Sequence, residues 1–218
     1  MAIVISTLNP RKGSGPNGLP TKILLMFKEL ISIPLSIIFN ISQSTGTFPE
    51  LLKLSKTIPV FKKGSKMDVS NYRPISLLSN INKIFEKLMY ARVYKFLEEN
   101  KTLYSLQFGF CSKHSTAHAL IQITEKIKHA LDSGNHACGV FIDLQKAFDT
   151  VNHNILVDKL SYYGIRGISN QWFKSYLSNR TQYVSINGFD SDKMNIKHGV
   201  PQGSVLGPLL FLIYIVIT

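Results

Sequence analysis

The sequence predicts a mixed α+β fold organised around a short apolar strand that ends on a carboxylate. Three observations carry the prediction. The apolar run 140–142 (Val-Phe-Ile), opened by Gly139, ends at Asp143, and a second acid, Asp149, precedes a helical pattern in Val151, Ile155, Leu156 and Leu160. Strand-turn-strand patterns occupy 56–77 and 181–198. Amphipathic helical stretches fill much of the remainder, most plainly 81–100.

Taken in order, residues 9–20 form a turn-rich loop with Arg11, Lys12 and several glycines, a backbone that can approach phosphates. Helical patterns follow over 21–30 and 34–44, with Pro34 at a first turn and Gly46 as C-cap, and Pro49 opens a short helix through Leu54. The stretch 56–64 reads as a strand entering a basic turn, 65–70 as the loop and 71–77 as the return, so Lys62, Lys63 and Arg73 lie near one hairpin tip. In the helix 81–100, Ile84, Phe85, Leu88, Met89, Val93, Phe96 and Leu97 recur at core spacing. After an irregular stretch, Ser115 or Thr116 caps a helix over 117–131 that Gly134 ends. His114, His118 and His129 lack metal spacing and read as surface residues. A helix after Asp149 runs to Tyr163 and stops at Gly164, and the next, 169–177, carries Trp172 as a core anchor. The strands 181–187 and 194–198 flank a turn at 189–192. A tight Gly/Pro loop from Gly199 then leads to Pro208 in the first turn of a closing apolar helix.

Composition narrows the function. The chain has 218 residues, enough for one large domain or two small subdomains, and at 44% hydrophobic and 17% charged it can bury a real core. Lys and Arg number 25 against 13 Asp and Glu, a net charge of +12, which points to a polyanion partner, nucleic acid ahead of membrane; the plainer alternative is a basic soluble protein. Cys111 and Cys138 show no zinc spacing, and a reduced intracellular protein is the simplest reading. The start is too short for a signal peptide. The apolar stretch 205–217, broken by Gly207 and Pro208, is shorter than a membrane span and reads as a core helix.

The two acids have distinct readings. Asp149 or Thr150 can cap the helix that follows. Asp143 comes directly after three apolar residues read as buried, where ionisation is costly unless a cation or donors meet the carboxylate. That pattern suits a ligand for Mg²⁺, which takes oxygen donors and substrate phosphates.

Several pieces, met in one order, resemble the reverse transcriptase domain of non-LTR retrotransposons, of LINE type and closest to the jockey-like group. They are Gly15-Pro16-Asn17-Gly18, 58–64, 71–77, 107–116, 141–153 and 199–215, nearly the whole chain. The resemblance implies the fingers and partial palm of a right-hand polymerase, with the thumb absent. Residues 1–135 would be a fingers-like region with part of the palm, and 136–218 a partial palm. It implies Asp143 as the catalytic, metal-binding aspartate, with the Leu144 carbonyl as a further ligand. Phe148 would be the gate that excludes a ribose 2′-hydroxyl. Lys62 and Arg73 would hold the incoming dNTP, and Gln202 and Gly203 would pack on nucleotide and template. Mg²⁺ would act in a two-metal site, with metals roughly 3.5–4 Å apart clamping the attacking and leaving oxygens. The implied partners are an RNA template, a DNA primer and dNTPs, with no membrane, in a nuclear or cytoplasmic ribonucleoprotein; oligomeric state stays open.

The sequence departs from the family pattern at Asn17, usually Asp, and at Cys111, usually Arg. Where the family continues towards an Ala-Asp-Asp hairpin, this sequence reads Val216-Ile217-Thr218. The resemblance therefore implies an RNA-directed DNA polymerase fragment that lacks its second catalytic carboxylates and is inactive as given. One alternative is a non-catalytic nucleic-acid-binding remnant. Another is the palm of an RNA-dependent RNA polymerase, against which Phe148 argues because a bulky gate disfavours ribonucleotides.

Overall fold

Two strand-turn-strand units share one sheet. In the computed structural model, which describes residues 1–215, β1 (Leu54–Phe61) pairs antiparallel with β2 (Tyr72–Leu77), from Lys56 opposite Leu77 to Phe61 opposite Tyr72. The other edge of β1 pairs in parallel with β3 (Arg180–Ile186), Leu54 opposite Thr181 through Thr57 opposite Val184. On its far side β3 pairs antiparallel with β4 (Phe189–Asp190) and β5 (Met194–Ile196). Both expected hairpins are therefore present. The second turn, however, lies at Asn187-Gly188 rather than at 189–192. Asn187 and Gly188 have φ of 52° and 87°, the pair of left-handed residues a two-residue hairpin needs, and this frees Phe189 and Asp190 to pair.

The expected strand 140–142 does not form. Val140, Phe141 and Ile142 are irregular and 82–89% exposed, and Asp143 beside them is exposed too. A strand requires a ladder partner. The sheet runs β2-β1-β3-β4 with β5 also on β3, and the run 140–142 is brought against none of its free outer edges, so it has no ladder partner among the described residues. The premise that Asp143 is desolvated fails with it.

The helices are α1 (Ala2–Ser6), α2 (Thr21–Met26), α3 (Lys28–Thr45), α4 (Asn80–Glu99), α5 (Thr116–Asp132), α6 (His153–Tyr162), α7 (Gly167–Leu177) and α8 (Leu206–Ile215). Pro34 lies inside α3, not at a first turn. It forfeits the ladder bond to the Leu30 carbonyl, and the helix continues because Leu35, Phe39 and Ser42 on its inner face are buried. Gly46 closes it in the left-handed conformation, φ 65°. After Pro49 there is only a 3-10 turn, Glu50–Leu52, since Leu54 already belongs to β1. The Ser79 hydroxyl caps α4 and the Ser115 hydroxyl caps α5.

The core lies between α4, α7, α8 and the inner faces of α3 and α6. Ile84, Phe85, Met89, Val93 and Leu97 of α4 are buried, while Leu88 and Phe96 pack at its margin. Leu206, Leu209, Leu210, Leu212 and Ile213 make α8 a core helix, as its apolar sequence predicts; residues 216 and 217 of that stretch lie outside the described residues. No residue of α5 is buried. No described helix is long and apolar enough to cross a membrane. Trp172 is fully buried, with its ring 5.2 Å edge-on to Phe48 and stacked 5.7 Å from Tyr176, and its Nε1–H donates to Ser42 Oγ at 2.9 Å.

Trp172→Ala should lower unfolding stability by about 3–5 kcal/mol, enough to empty much of a typical folding free energy. The drop in the urea midpoint followed by circular dichroism measures it; a shift under about 1 kcal/mol would show that the anchor assignment is wrong.

Candidate functional site

The loop from Gly199 to Ser204 joins three parts of the molecule. Gly199 N–H donates to the Val151 carbonyl and Val200 N–H to the Phe148 carbonyl, each at 2.8 Å. Gly199 has φ 85°, and a Cβ there would meet Asp149 Cα and backbone oxygens at 2.9 Å, so no other residue lets the two segments approach so closely. On the opposite side, Ser76 N–H of β2 donates to the Gln202 carbonyl at 2.7 Å. Gly203 has φ 109°, and a Cβ there would lie 2.9 Å from the Ser76 carbonyl. The Gln202 side chain donates from Nε2 to Asp149 Oδ1 at 3.0 Å.

Asp149 is therefore a partner of Gln202 and not a helix cap. The cap of α6 is Asn152, whose Oδ1 accepts from the Asn154 and Ile155 amides at 2.9 and 3.2 Å. The helix starts at His153, too far along the chain for Asp149 or Thr150 to reach its free N–H groups. Phe148 is half-buried, its ring 5.0 Å from Phe211 and 6.0 Å from Phe110, so packing fixes one side of it.

The β1–β2 hairpin projects the cations. Val60 sits opposite Arg73, and Lys62 N–H donates to the Asn71 carbonyl at 2.9 Å. This register puts Lys62 and Arg73 on one face as diagonal neighbours, both exposed. Phe61 and Tyr72 stack edge-on at 5.5 Å on the other face and stiffen the arm. Arg73 is three residues along β2 from Ser76, which holds the Gln202–Gly203 loop.

Of the residues picked from sequence, Arg73, Phe148, Gln202 and Gly203 are thus linked through β2 and one loop, with Lys62 beside Arg73. Asp143 and Leu144 are not drawn in: they lie on the exposed irregular stretch before Phe148. The Asp143 carboxylate and the Leu144 carbonyl are too few oxygens to fix Mg²⁺, and the described residues hold no group of three or more His, Cys, Asp or Glu suited to a metal.

Sequence comparison now adds to this geometry. Residues 60–217 match the family model "Reverse transcriptase (RNA-dependent DNA polymerase)". The chain belongs to this family. It is 34% identical over 215 residues to the RNA-directed DNA polymerase from mobile element jockey of Drosophila melanogaster, a match covering 97% of this chain and 23% of that protein. It is 35% identical over 187 residues to the probable RNA-directed DNA polymerase from transposon X-element of the same fly, covering 83% of the chain and 20% of the relative. More distantly, it is 27% identical over 167 residues to a polyprotein of the type-1 retrotransposable element R2 of Popillia japonica, covering 76% and 23%. The chain thus spans under a quarter of the length of these curated relatives. Reverse transcriptases generally use a divalent metal.

Sequence reasoning missed the polar interior behind the loop. Glu86 is fully buried; its Oε2 accepts from the Val205 amide at 2.6 Å, and its Oε1 from Tyr176 Oη at 2.7 Å and Asn82 Nδ2 at 3.2 Å. Burial pushes its acidity towards a higher pKa, opposed by Tyr176, the Val205 and Leu206 amides and the Arg180 charge. The signal was readable: Asn82 and Glu86 share the helical face of Met89 and Val93.

His153 Nε2 lies 2.7 Å from the Gly199 carbonyl and fastens α6 to the loop. Burial lowers its pKa below the ordinary 6.5, against the Gly199 hydrogen bond and aided by the His198 and Arg180 charges. A His with a depressed folded pKa contributes stability above the unfolded value and loses it as pH falls through the folded one. Acidification from about pH 8 to about pH 5.5 should therefore destabilise the wild-type chain, and His153→Gln, which still donates to Gly199, should remove that part of the pH dependence. Urea midpoints across pH measure both; an identical pH profile in the variant would refute the assignment.

Proposed function

We propose that this chain is the dNTP- and template-facing portion of a non-LTR retrotransposon RNA-directed DNA polymerase, its fold the fingers and part of a palm. The observation that carries the reading is the loop 199–204 seated at once on β2 at Ser76, three residues from Arg73, and on Phe148–Asp149. Phosphoryl transfer demands positioning and charge neutralisation more than covalent participation by the protein. Lys62 and Arg73, on a projecting hairpin and without an acidic partner among the described residues, suit the triphosphate; Arg73 offers a planar fork and Lys62 a compact charge. Gln202 and Gly203 present an amide side chain and a bare backbone where the loop meets the same strand at Ser76. Phe148, braced by Phe110 and Phe211, covers the sugar. Asp143 and the Leu144 carbonyl are the oxygens that this stretch would contribute to Mg²⁺, alongside nucleotide phosphates and further ligands. The partners of the activity are an RNA template and a DNA primer, and the compartment is nuclear or cytoplasmic.

The net charge of +12 and the exposed hairpin cations set the first test. The 218-residue chain should bind RNA–DNA hybrids without sequence preference and with a steep salt dependence. Replacing Lys62 and Arg73 together by alanine should flatten the salt slope by about two phosphate contacts at most. Fluorescence anisotropy at several salt concentrations measures this, and binding indifferent to salt would count against the proposal. With so few metal oxygens fixed, the chain by itself should bind without extending a primer. Template-dependent extension abolished by Asp143→Ala would show that the metal set is complete after all.

A further inference from the structure

The buried carboxylate behind the loop has no assigned role. Glu86 leaves the middle of α4 and meets Val205 and Leu206 at the first turn of α8, where free N–H groups and the helix dipole favour a negative charge. Tyr176 lies between Glu86 and Arg180: its hydroxyl donates to Glu86 at 2.7 Å, its carbonyl accepts from Arg180 Nη1 at 3.2 Å, and the guanidinium carbon stands 4.8 Å over its ring. Arg180 is 1% exposed, and its Nε and Nη2 find no hydrogen-bond partner among the described residues. Its charge is permanent, so it biases Glu86 towards the carboxylate across the tyrosine.

The link from Glu86 to the loop is short and stiff. Ser204 N–H and Oγ–H both donate to the Pro201 carbonyl, at 3.1 and 2.8 Å, and the Gly207 amide donates back to Ser204 Oγ at 2.9 Å. A Cβ on Gly207 would fall 2.5 Å from that oxygen, so the turn has no slack. Any displacement of Val205 is therefore carried through Ser204 to Pro201 and to Gln202 and Gly203 between them. An apolar side chain at position 86 would fill the interior without desolvating a charge, so packing alone gives no reason for a carboxylate there.

Resting on the function proposed above, we infer that Glu86 is a positioning residue: through the Val205 and Leu206 amides it fixes the height of the Gln202–Gly203 loop over β2, with Tyr176 and Arg180 holding the carboxylate in place. Glu86→Gln keeps shape and one acceptor but removes the charge; Tyr176→Phe keeps the ring and removes the donor. Hydrogen exchange of the 218-residue chain, alone and with an RNA–DNA hybrid plus dNTP, tests the assignment. In the free chain, Glu86→Gln should speed exchange at Val205 and Leu206 about tenfold, the difference between a charge-assisted and a neutral hydrogen bond, and Tyr176→Phe should shift the same amides less. With ligand, the Glu86→Gln loop should fail to gain the protection the wild-type loop gains, while the dissociation constant for the hybrid, set by surface cations, stays within about twofold. Leu97→Ala, on the same helix in apolar surroundings, controls for general loosening and should leave ligand-induced loop protection intact. Wild-type exchange rates at Val205 and Leu206 in Glu86→Gln, or loop effects matched by Leu97→Ala, would overturn the inference. A wild-type chain that binds no hybrid would overturn the functional reading, while free-chain exchange would still decide whether Glu86 anchors the loop.

Discussion

A carboxylate withdrawn from water must be met by donors, and the arrangement of this chain's interior follows from how Glu86 meets that demand. Its donors come from separate elements: Asn82 from its own helix, Tyr176 from α7, and the amides that open α8. The helices α4, α7 and α8 can satisfy the charge only in one mutual placement. Apolar packing alone would tolerate sliding, since Leu and Ile side chains fill space without fixing register. The Trp172 cluster supplies the bulk of the apolar burial on one side of Tyr176, and the hydroxyl of that same tyrosine supplies the polar bond on the other.

The sheet shows a related economy. β1 joins the two hairpins, antiparallel to β2 in its own and parallel to β3 of the other. Its register therefore transmits the position of the hairpin arm carrying Lys62 and Arg73 to the strand that carries buried Arg180. The loop at Gly199–Ser204 closes the circuit on the other side, from β2 through Ser76 to the segment before α6. Two glycines make this possible, because at Gly199 and Gly203 a side chain would collide with backbone and not merely with a movable neighbour.

Much of this was legible in the sequence because local chemistry decides it. The hairpin 56–77, the helix read over 81–100, the Ser115 cap, the Gly46 and Gly164 stops and the Trp172 anchor each depend on residues close in the chain or on strong periodicity. Motif order singled out Arg73, Phe148, Gln202 and Gly203, and the structure connects them through β2 and one loop. What was not legible depends on partners distant in sequence. Whether Val140–Ile142 becomes a strand is settled by whether the rest of the chain brings a partner strand against it, a fact its own β propensity does not contain. Pro34 sits mid-helix because tertiary burial of Leu35 and Phe39 outweighs one lost bond. The role of Asp149 turned on the side chain of Gln202, and the pairing of Glu86 with α8 crosses more than a hundred residues.

The exposed run at 140–142 bears on how this chain behaves in crowded solution. It is apolar, β-prone, free of proline and uncharged, and the solvent-facing Leu120, Ile121 and Leu131 of α5 belong to the same class of surface. A net charge of +12 keeps separate copies apart only over the Debye length, about 10 Å at 0.1 M salt. Raising ionic strength thus removes the one long-range force opposing self-association while strengthening nothing that shields the run. Cys138, exposed two residues before it, can then lock a chance encounter as an intermolecular disulfide. Reducing, low-salt conditions are those under which this molecule stays colloidally single.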